Sequence, residues 1–570
     1  MIHFNLILEK FNGIGKSQFV LFFMVAYYNI SKGLNAVATV FIAYSPQKRC
    51  NVPPLDDSAL YPNLTESDIL NYTIPYDAVT EKYDNCMRYS FNLSKCNVDL
   101  ACVNQTYPAI SCDHGYQYDR TIFTETVITE FDLVCDQNYL NALSTSLFYV
   151  GMLVGSIVFG NSADRFGRKP VMITSFVFVL GCMLGVSLST SVEMYMLFRT
   201  STAIFLSGSN VGSFVYAMEI LPQKWIGIFG VIYQGICTIG YMVLSAIAYE
   251  WRDWREIMLA STAVSSPFML FALIIPESPR WQFTNGIDKE AIKTTKNMAK
   301  WNGVVLTQED WDRATKNADK NITIPKKYSS LDLFKTPGIR LVATKAMFVW
   351  FSTTALFYGL VLNTGALAGD VFVNNVLGGV AGMSSMILCM LLMNRIGRRK
   401  LICSLLIIGS SCLLLSVVIN QYKKANSGLE TLSLAFAFAG RFGITGATEV
   451  MYPFIAEVFP TVIRGNGVGI ASSCSRIGGI LAPFVISLQH YLTWLPDVVF
   501  AGLALMAGLV SLTLPETNGC GLMETIEEAE IFYKNRRFKD SSSDGMVADV
   551  ETLDNEVRND LIESADTSVL

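Results

Sequence analysis

The stretch G-N-S-A-D-R-F-G-R-K occupies Gly160 to Lys169 and lies between two long apolar runs. A turn this short that carries Arg165 and Arg168 between two membrane spans is expected to face the cytoplasm, because moving Lys and Arg across a bilayer is disfavoured. A weaker copy, N-R-I-G-R-R, follows at residues 394–399, and its first arginine lies 230 residues after Arg165. The repeated turn predicts a chain built from two similar halves.

Two other motif pairs keep nearly the same distance. Glu219 and Pro222 recur as Glu457 and Pro460, 238 residues later. The sequence P-E-S at 276–278 recurs as P-E-T at 515–517, 239 residues later. Three motif pairs in one order at one offset indicate an internal duplication, which is a common construction among membrane transporters.

The composition places the chain among polytopic membrane proteins. It has 570 residues, of which 51% are hydrophobic and 16% charged, and its mean hydropathy is +0.37. That is too apolar for a soluble globular chain of this length. The basic residues sit in short turns that orient helices, so no nucleic-acid partner is indicated. With three histidines, no phosphate-binding loop and no metal-ligand spacing, the sequence predicts neither an enzyme nor a bound cofactor or metal.

The predicted fold is all-α, with twelve transmembrane helices in two six-helix bundles and a large disulfide-rich extracellular loop. An even number of spans places both termini in the cytoplasm, which also keeps the Arg- and Lys-bearing turns inside. The end of the tail is rich in Ser, Asp and Glu and is expected to be disordered. The predicted segments are a cytoplasmic N-terminus at 1–17, the first span at 18–43, the loop at 44–138, the rest of the first bundle at 139–281, a cytoplasmic linker at 282–340, the second bundle at 341–515 and a cytoplasmic tail at 516–570.

The loop carries six of the thirteen cysteines and four glycosylation sequons. An even number of cysteines beside N-x-S/T sites is typical of an oxidising compartment, so glycosylation and disulfides are both expected. Six cysteines allow fifteen connectivities, and the sequence does not choose among them. The cysteines are Cys50, Cys86, Cys96, Cys102, Cys112 and Cys135, and the sequons begin at Asn63, Asn71, Asn92 and Asn104.

Charged side chains within membrane spans are costly and are therefore candidates for function. Lys32 lies about 21 Å along the first span, at about 1.5 Å per residue, and shares a polar face with Asn35. Arg476 lies near the middle of the eleventh span, and Glu449 lies in the inner half of the tenth. These groups are candidates to bind substrate, and the alternative is that Glu449 neutralises one of the cations as a structural pair. The two roles are compatible, because a substrate can compete for one partner.

Aromatic residues accompany these charges in the fifth and seventh spans. Trp350 and Tyr358 are eight residues apart and so lie on nearly one helix face, while Tyr233 and Gln234 belong to the fifth span. An aromatic face near a lone acid favours an organic cation through cation–π attraction. The charges at helix ends and turns are instead candidate gating residues, and they comprise Asp164, Arg165, Arg168, Glu219, Arg395, Arg398, Glu457 and Arg464.

Taken together, the motifs resemble those of the major facilitator superfamily. The turn at Gly160–Lys169 looks like its signature, and the Cys- and sequon-rich first loop resembles that of the organic cation, anion and carnitine transporter family. Over about Phe11 to Glu530, the resemblance also rests on T-E-F-D-L-V-C at 129–135, P-E-S-P-R-W at 276–281 and Glu457–Arg464. It implies alternating access to a central polyspecific cavity.

The resemblance leaves the substrate open between several classes. Cation transporters of the family carry Asp in span eleven, whereas anion and carnitine transporters carry Arg, as Arg476 here. Glu449 matches an acid of several cation transporters, and the sequence C-S-R-I-G-G at 474–479 looks most like the carnitine branch. We therefore expect a transporter of small organic cations or zwitterions. An organic anion transporter, favoured by the excess of Lys32 and Arg476 over Glu449, and a non-transporting receptor or scaffold are the alternatives.

The C-terminal residues Ser568 to Leu570 fit a ligand that adds a strand to a PDZ domain and buries its carboxylate. A plasma-membrane location with such a cytoplasmic partner is the expectation that follows. The other predicted partners are the lipid bilayer and a small organic ion.

Overall fold

The computed structural model describes residues 4–11, 13–53, 55–56, 65–77, 82–90, 108–311, 333–366, 369–422, 427–460, 462–490, 492, 494–518, 523 and 526–541. The first half of the chain contains helices α1 Phe4–Glu9, α2 Lys16–Ala26, α3 Tyr28–Ile42, α4 Glu66–Thr73, α5 Val127–Glu130, α6 Asn138–Phe166, α7 Arg168–Ser187, α8 Val192–Glu219, α9 Ile226–Glu250, α10 Trp254–Ser265, α11 Pro267–Ile274, α12 Pro279–Thr284 and α13 Asp288–Trp301.

The second half contains a corresponding series of long helices. They are α14 Pro337–Leu362, α15 Val371–Ile396, α16 Arg398–Tyr422, α17 Ser427–Val458, α18 Arg464–Ser487, α19 Leu495–Leu512 and α20 Ile526–Ser541. Within the described ranges, nine helices are long and apolar enough to cross a membrane. The predicted all-α membrane fold is therefore confirmed.

Three further long segments fall short of that apolar criterion, namely α2–α3, α8 and α17. Each carries ionisable residues within its length, and the buried or cavity-lining ones are Lys32 in α3, Arg199 in α8, and Arg441 and Glu449 in α17. A single charge lowers the hydropathy of a span strongly, since Arg, Lys or Asp at a helix centre costs about 2.5–3.5 kcal/mol on insertion scales. The same three segments supply much of the polar interior.

Glycines divide the helices at both repeated turns. Gly167 separates α6 from α7 with φ of +101°, and Gly397 separates α15 from α16 with φ of +95°. This left-handed region is accessible to glycine at little cost, whereas a side chain there is strained. The chain can therefore reverse direction between two long helices within one residue.

Two large cores of buried apolar residues lie mainly in the first and the second half of the chain, respectively. The first core joins Phe22 and Tyr28 to Phe176 and Phe268, and the second joins Leu406 to Phe454 and Phe459. Many large apolar side chains remain exposed on the outer faces of the long helices, as expected for surfaces that contact lipid. Examples are Ile157, Phe178, Leu197, Leu270, Leu391 and Ile408.

The segment between α3 and α6 forms a small unit of strands, which we call the loop unit. Strand β1 Lys48–Cys50 pairs antiparallel with β6 Tyr116–Tyr118, β2 Tyr76–Asp77 with β3 Lys82–Tyr83, and β4 Met87–Tyr89 with β5 Ala109–Ser111. Two disulfides, Cys50–Cys112 and Cys86–Cys135, cross-link the unit. We call the side of the molecule that carries it the loop end, and the side with the Gly167 and Gly397 turns the turn end.

Candidate functional site

A cavity of about 190 Å³ lies between the two halves, near the middle of the long helices. The first half lines it with residues of α3, α6, α8 and α9, and the second half with residues of α14, α17 and α18. We call it the central cavity. The sequence-predicted residues that line it are Lys32, Gln234, Trp350, Tyr358, Glu449 and Arg476.

Lys32 enters the central cavity from α3. Its Nζ donates to Oε1 of Gln234 on α9, at 3.0 Å. This bond joins two helices of the first half and leaves the charge of Lys32 without a carboxylate within 4.0 Å in the described part of the chain. The lysine is therefore held by an amide and has no carboxylate in direct contact.

Glu449 and Arg476 reach the same cavity from α17 and α18. Glu449 forms no ion pair with Arg476 or Lys32 within 4.0 Å, and Nε of Arg476 is buried without a hydrogen-bond partner among described residues. A buried pair is expected to be closely paired and hydrogen-bonded, because separate buried charges are costly. Glu449 therefore has no direct ion-pair contact with either cation, and one acid and two cations face a shared space.

Aromatic rings surround these charges. Trp350 packs edge-on against Tyr452 with ring centroids 5.8 Å apart, and Tyr149 packs against Tyr358 at 4.5 Å. Tyr149 and Tyr452 were not among the residues predicted from the sequence. Tyr452 follows Glu449 by three residues and so shares its helix face. This spacing could have identified Tyr452 as a neighbour of Glu449 from the sequence. Tyr149 comes from a span without membrane charges, and nothing in the sequence marked it.

Two predicted binding residues lie outside the lining of the central cavity. Asn35 is buried beside α8, where its Oδ1 accepts from Arg199 at 3.1 Å and its backbone oxygen accepts at 2.7 Å. Tyr233 is buried against Phe22 and Phe214. Arg199 also lies over the ring of Phe148, 4.4 Å from its centroid, and Phe148 does line the cavity. Asn35 is therefore one layer behind the cavity wall.

At the turn end, the first repeated motif forms a closed cluster. Arg168 contacts Glu219 at 2.8 Å and Asp164 at 3.0 Å. The carboxylate of Glu277 accepts from the backbone amides of Arg168 and Lys169, at 3.1 to 3.3 Å. It lies directly against Gly167, where an added Cβ would stand 2.4 Å from a carboxylate oxygen. Only glycine fits between the turn and the acid.

The second half repeats most of this cluster, with Asn394 at the position that corresponds to Asp164. Arg398 contacts Glu457 at 3.1 Å, and its backbone amide donates to Glu516 at 2.9 Å. Gly397 meets the carboxylate of Glu516 as Gly167 meets that of Glu277. The sequence predicted gating roles for Arg168, Glu219, Arg398 and Glu457, and the structure brings each pair together within its own half. Glu277 and Glu516 were missed as members, although the repeated P-E motif contained both.

The remaining turn-end residues have separate surroundings. Asp164 is 78% exposed at its side chain. Arg165 lies over the ring of Phe166, at 5.4 Å. Arg464 donates to the backbone oxygen of Phe459 at 3.3 Å. Arg395 belongs to the last turn of α15.

At the loop end, contacts join the two halves. The ring of Phe372 at the start of α15 stacks on Phe41 at 5.8 Å and contacts Phe123 of the loop unit at 5.5 Å and Tyr249 at 5.7 Å. Nearby, Nδ2 of Asn375 donates to the backbone oxygen of Tyr241 at 3.0 Å. These contacts join the two halves at this end.

A second set of contacts lies just above the central cavity. The hydroxyl of Ser146 donates to the backbone oxygen of Ile480 at 2.8 Å, one turn along α6 from the Tyr149–Tyr358 pair. Together, these four residues form what we call the closure layer. It separates the central cavity from the loop end.

The loop unit holds part of what the sequence predicted. Four of the six cysteines form the two disulfides, and Cys96 and Cys102 lie outside the described residues. Asn71 is exposed in α4, where its side chain accepts from the Tyr83 hydroxyl. The sequons at Asn63, Asn92 and Asn104 and the C-terminal Ser568–Leu570 also lie outside the described residues.

Comparison with known proteins agrees with this architecture. The profile of the family described as "Sugar (and other) transporter" matches residues 94–529. The inward-open structure of the xylose transporter XylE from E. coli superposes with a TM-score of 0.60 at 14% identity, covering 90% of this chain and 99% of that one. This likeness supports the fold alone.

Curated relatives are similar over nearly the whole chain. Mouse solute carrier family 22 member 4 is 34% identical over 532 residues, covering 90% of this chain and 92% of the relative. Mouse organic cation/carnitine transporter 2 is 33% identical, covering 90% and 91%. The Drosophila organic cation transporter-like protein is 31% identical, covering 92% of each. The chain belongs to solute carrier family 22 within the major facilitator superfamily, and it is a multi-pass membrane transporter rather than an enzyme.

Proposed function

We propose that the protein carries small organic cations and zwitterions of the carnitine type across the plasma membrane by alternating access. The observation that carries this proposal is the set of charges in the central cavity, where Glu449 and Arg476 face one space without pairing. A zwitterion offers both the ammonium that Glu449 attracts and the carboxylate that Arg476 binds. The printed names of relatives, organic cation/carnitine transporters, point to the same class.

The roles within the cavity follow from the chemistry of each group. The guanidinium of Arg476 has a fork of donors that matches a carboxylate bidentately. Glu449 attracts a cationic head, while Trp350, Tyr358 and Tyr452 offer π faces to it. Lys32, held by Gln234, adds a second positive charge that favours substrates with a carboxylate. The buried charges are then compensated by the substrate rather than by each other.

The topology that we propose has twelve spans. Nine of these spans are the apolar helices. The other three are α2–α3, α8 and α17, which can cross the membrane because their polar residues face the interior between helices. The basic turns at Arg168 and Arg398 then lie in the cytoplasm together with both termini, and the disulfide-bonded loop unit lies outside. Glycosylation at Asn63, Asn71, Asn92 and Asn104, and PDZ binding at Ser568–Leu570, are part of the same proposal.

We propose that the conformation with these loop-end contacts is closed on the outside. The Phe372 contacts and the closure layer lie between the loop end and the central cavity. In the outward-facing form, we propose that these contacts separate and that the turn-end charges latch the halves together, with Asp164, Arg165, Arg395 and Arg464 joining the two clusters. Alternating between the two closures moves the substrate without an open channel.

The test of the substrate class is uptake of three labelled probes, namely tetraethylammonium, carnitine and a dicarboxylate, in cells that express the protein. Carnitine uptake above that of mock-transfected cells is the expected result. Arg476→Asp reverses the central charge and should favour tetraethylammonium over carnitine. Arg476→Lys keeps the charge without the fork, and it should weaken carnitine uptake without restoring a preference for the cation.

A control separates selection from folding. Exchanging Glu449 and Arg476 preserves a structural pair between these two residues, so rescue of folding with unchanged selectivity would favour that pair as a structural one. If relative preferences stay fixed in every variant that reaches the surface, Arg476 is not the selector. Uptake of the dicarboxylate alone would instead support an organic anion transporter, for which the excess of Lys32 and Arg476 over Glu449 is the specific observation. Absence of uptake of all three probes would favour a receptor or scaffold.

A further inference from the structure

A second and larger cavity, of about 360 Å³, opens at the loop end. We call it the outer cavity. It lies between the loop-end segments of both halves, and its lining is rich in amides and hydroxyls, including Asn141, Asn363, Gln489, Thr39 and Ser45. On α6, Thr145 lines the outer cavity and Tyr149 lines the central one, so the closure layer separates the two spaces by about one helical turn.

The outer cavity contains one lysine in its described lining, Lys48 from strand β1 of the loop unit. The next residue, Arg49, is neutralised by Asp56 at 2.7 Å. Lys48 has no carboxylate within 4.0 Å in the described part of the chain. Its partial burial also lowers the pKa of its ammonium group, as expected for a cation that lacks a compensating anion. An anionic group entering the cavity would supply that compensation.

The loop unit holds Lys48 in a defined position. Its backbone pairs with Tyr118 in the β1–β6 ladder, and the disulfide of Cys50 with Cys112 lies two residues away. Tyr118 in turn donates its hydroxyl to Asp132 at 2.8 Å, just before α6. A cation on a cross-linked strand is presented with little loss of conformational freedom, which favours binding.

We propose that the outer cavity is a second substrate subsite, in which Lys48 binds the carboxylate of an organic zwitterion or anion on its way to or from the central cavity. This assignment rests on the proposed transport of carboxylate-bearing organic ions. It gives the loop unit a part in substrate selection, because a quaternary ammonium without a carboxylate gains nothing from Lys48. The surrounding amides supply further donors and acceptors for the remaining polar groups of the substrate.

The kinetic test compares carnitine with tetraethylammonium in wild type, Lys48→Gln, Lys48→Arg and Lys48→Glu. The Gln variant should raise the KM for carnitine about three- to tenfold, the range expected for a charge-assisted contact at a partly exposed site. The Glu variant should raise it further, and the Arg variant should stay near wild type. The KM for tetraethylammonium should not rise in any of them. Arg120→Gln removes an exposed cation of the same loop unit outside the cavity and should change neither value.

A binding measurement keeps this test separate from the proposed function. In intact cells, Ser45→Cys, which places a thiol in the outer cavity and keeps Lys48, should react with a membrane-impermeant maleimide above the wild-type background. Carnitine should slow the reaction, whereas tetraethylammonium should not. Protection remains measurable even if no probe is taken up, so failure of transport and failure of the subsite are distinguishable. Equal KM changes for both probes in Lys48→Gln, or a labelling rate that carnitine leaves unchanged, would overturn the proposal.

Discussion

The two ends of the molecule are held together in different ways. At the turn end, the ion pairs Arg168–Glu219 and Arg398–Glu457 each join residues of one half, and the two clusters repeat each other closely. At the loop end, Phe372 and Asn375 of the second half contact residues of the first, and no repeat of this arrangement was evident in the sequence. The turn end therefore contains two similar clusters, each within one half, whereas the loop end contains contacts that join one half to the other.

Mutating the two kinds of contact should therefore affect different properties of the protein. A bond within one half is present in every conformation in which the half moves as a rigid body, so it contributes to stability. A contact between halves exists in one conformation only, so it shifts the equilibrium between conformations. Mutations at the two ends should therefore be separable by whether they change the unfolding temperature or the side from which the cavity is accessible.

The largest effect is expected from breaking the turn-end cluster of the first half. Arg168→Ala leaves Glu219, whose side chain is 12% exposed, without its cation. Removing one partner of a buried pair costs about 3–5 kcal/mol. Arg398→Ala should cost less, because Glu457 is 26% exposed and water can solvate it. Thermal unfolding of the purified variants measures both losses.

Arg168→Ala and Arg398→Ala serve as controls for each other, because each removes the corresponding arginine of one half. A lower melting temperature for Arg168→Ala than for Arg398→Ala, with reduced surface expression in the same order, is the expected pattern. Equal melting temperatures, or a larger loss in the second half, would mean that exposure does not set the strength of the clusters.

The next effect concerns the contact between halves at the loop end. Phe372 is 6% exposed, and Phe372→Ala removes three ring contacts that exist only when this end is closed. Each aromatic pair contributes about 0.5–1.5 kcal/mol beyond burial. We expect the closure layer to open more often, so a cysteine at Ser146 should react with an external maleimide about tenfold faster or more. Val373→Ala, at an exposed neighbour, is the matched variant and should leave the rate unchanged.

A smaller effect is expected at Asp164, which is exposed and contacts Arg168 within its own half here. If it also latches the halves in the outward-facing form, Asp164→Asn should weaken that form by about 1 kcal/mol, typical of an exposed pair. That corresponds to a shift of about fivefold toward the inward-facing form and a similar loss of uptake at unchanged surface expression. Normal uptake by this variant would remove Asp164 from the latch.

Most of the repeated architecture was predictable from the sequence, because the repeated motifs can be recognised from the residues alone. The turn motifs and the P-E motifs predicted the two halves, and the helix bounds differ from the predicted spans mainly at their ends, where fraying and caps decide. For the turn-end clusters, the arginines and their glutamate partners were predicted as gating residues, but Glu277 and Glu516 were not. Glu277 and Glu516 accept backbone amides, and a backbone partner leaves no pattern in the side chains of a sequence.

The residues of the central cavity were predicted because they are charged, and their positions along the helices were a less reliable guide. Lys32, Glu449 and Arg476 were identified because charges in spans are rare, and all three line one cavity. Asn35 was placed there from helix periodicity, which gives the face of a helix but not what covers it. The face of Asn35 is covered by Arg199 of α8. Likewise, Tyr149 and Phe372 act through contacts with distant parts of the chain, which no local pattern specifies.

The smallest effect belongs to the loop unit, where Arg88 holds Asp113 by two hydrogen bonds of 2.6 and 2.7 Å. These bonds lower the pKa of Asp113 to about 2, below the value of about 3.9 usual for Asp. A depressed pKa means that the contribution to stability is present above about pH 4 and is lost as the pH falls through about 2. Because the carboxylate is 46% exposed, we expect Asp113→Asn to cost less than about 1 kcal/mol at pH 7. Unfolding of wild type and variant at pH 7, 4 and 2.5 should show a small difference that shrinks toward acid. A difference that is constant with pH would assign it to packing rather than to charge, and a large one would mean that the two disulfides leave the loop unit dependent on this single pair.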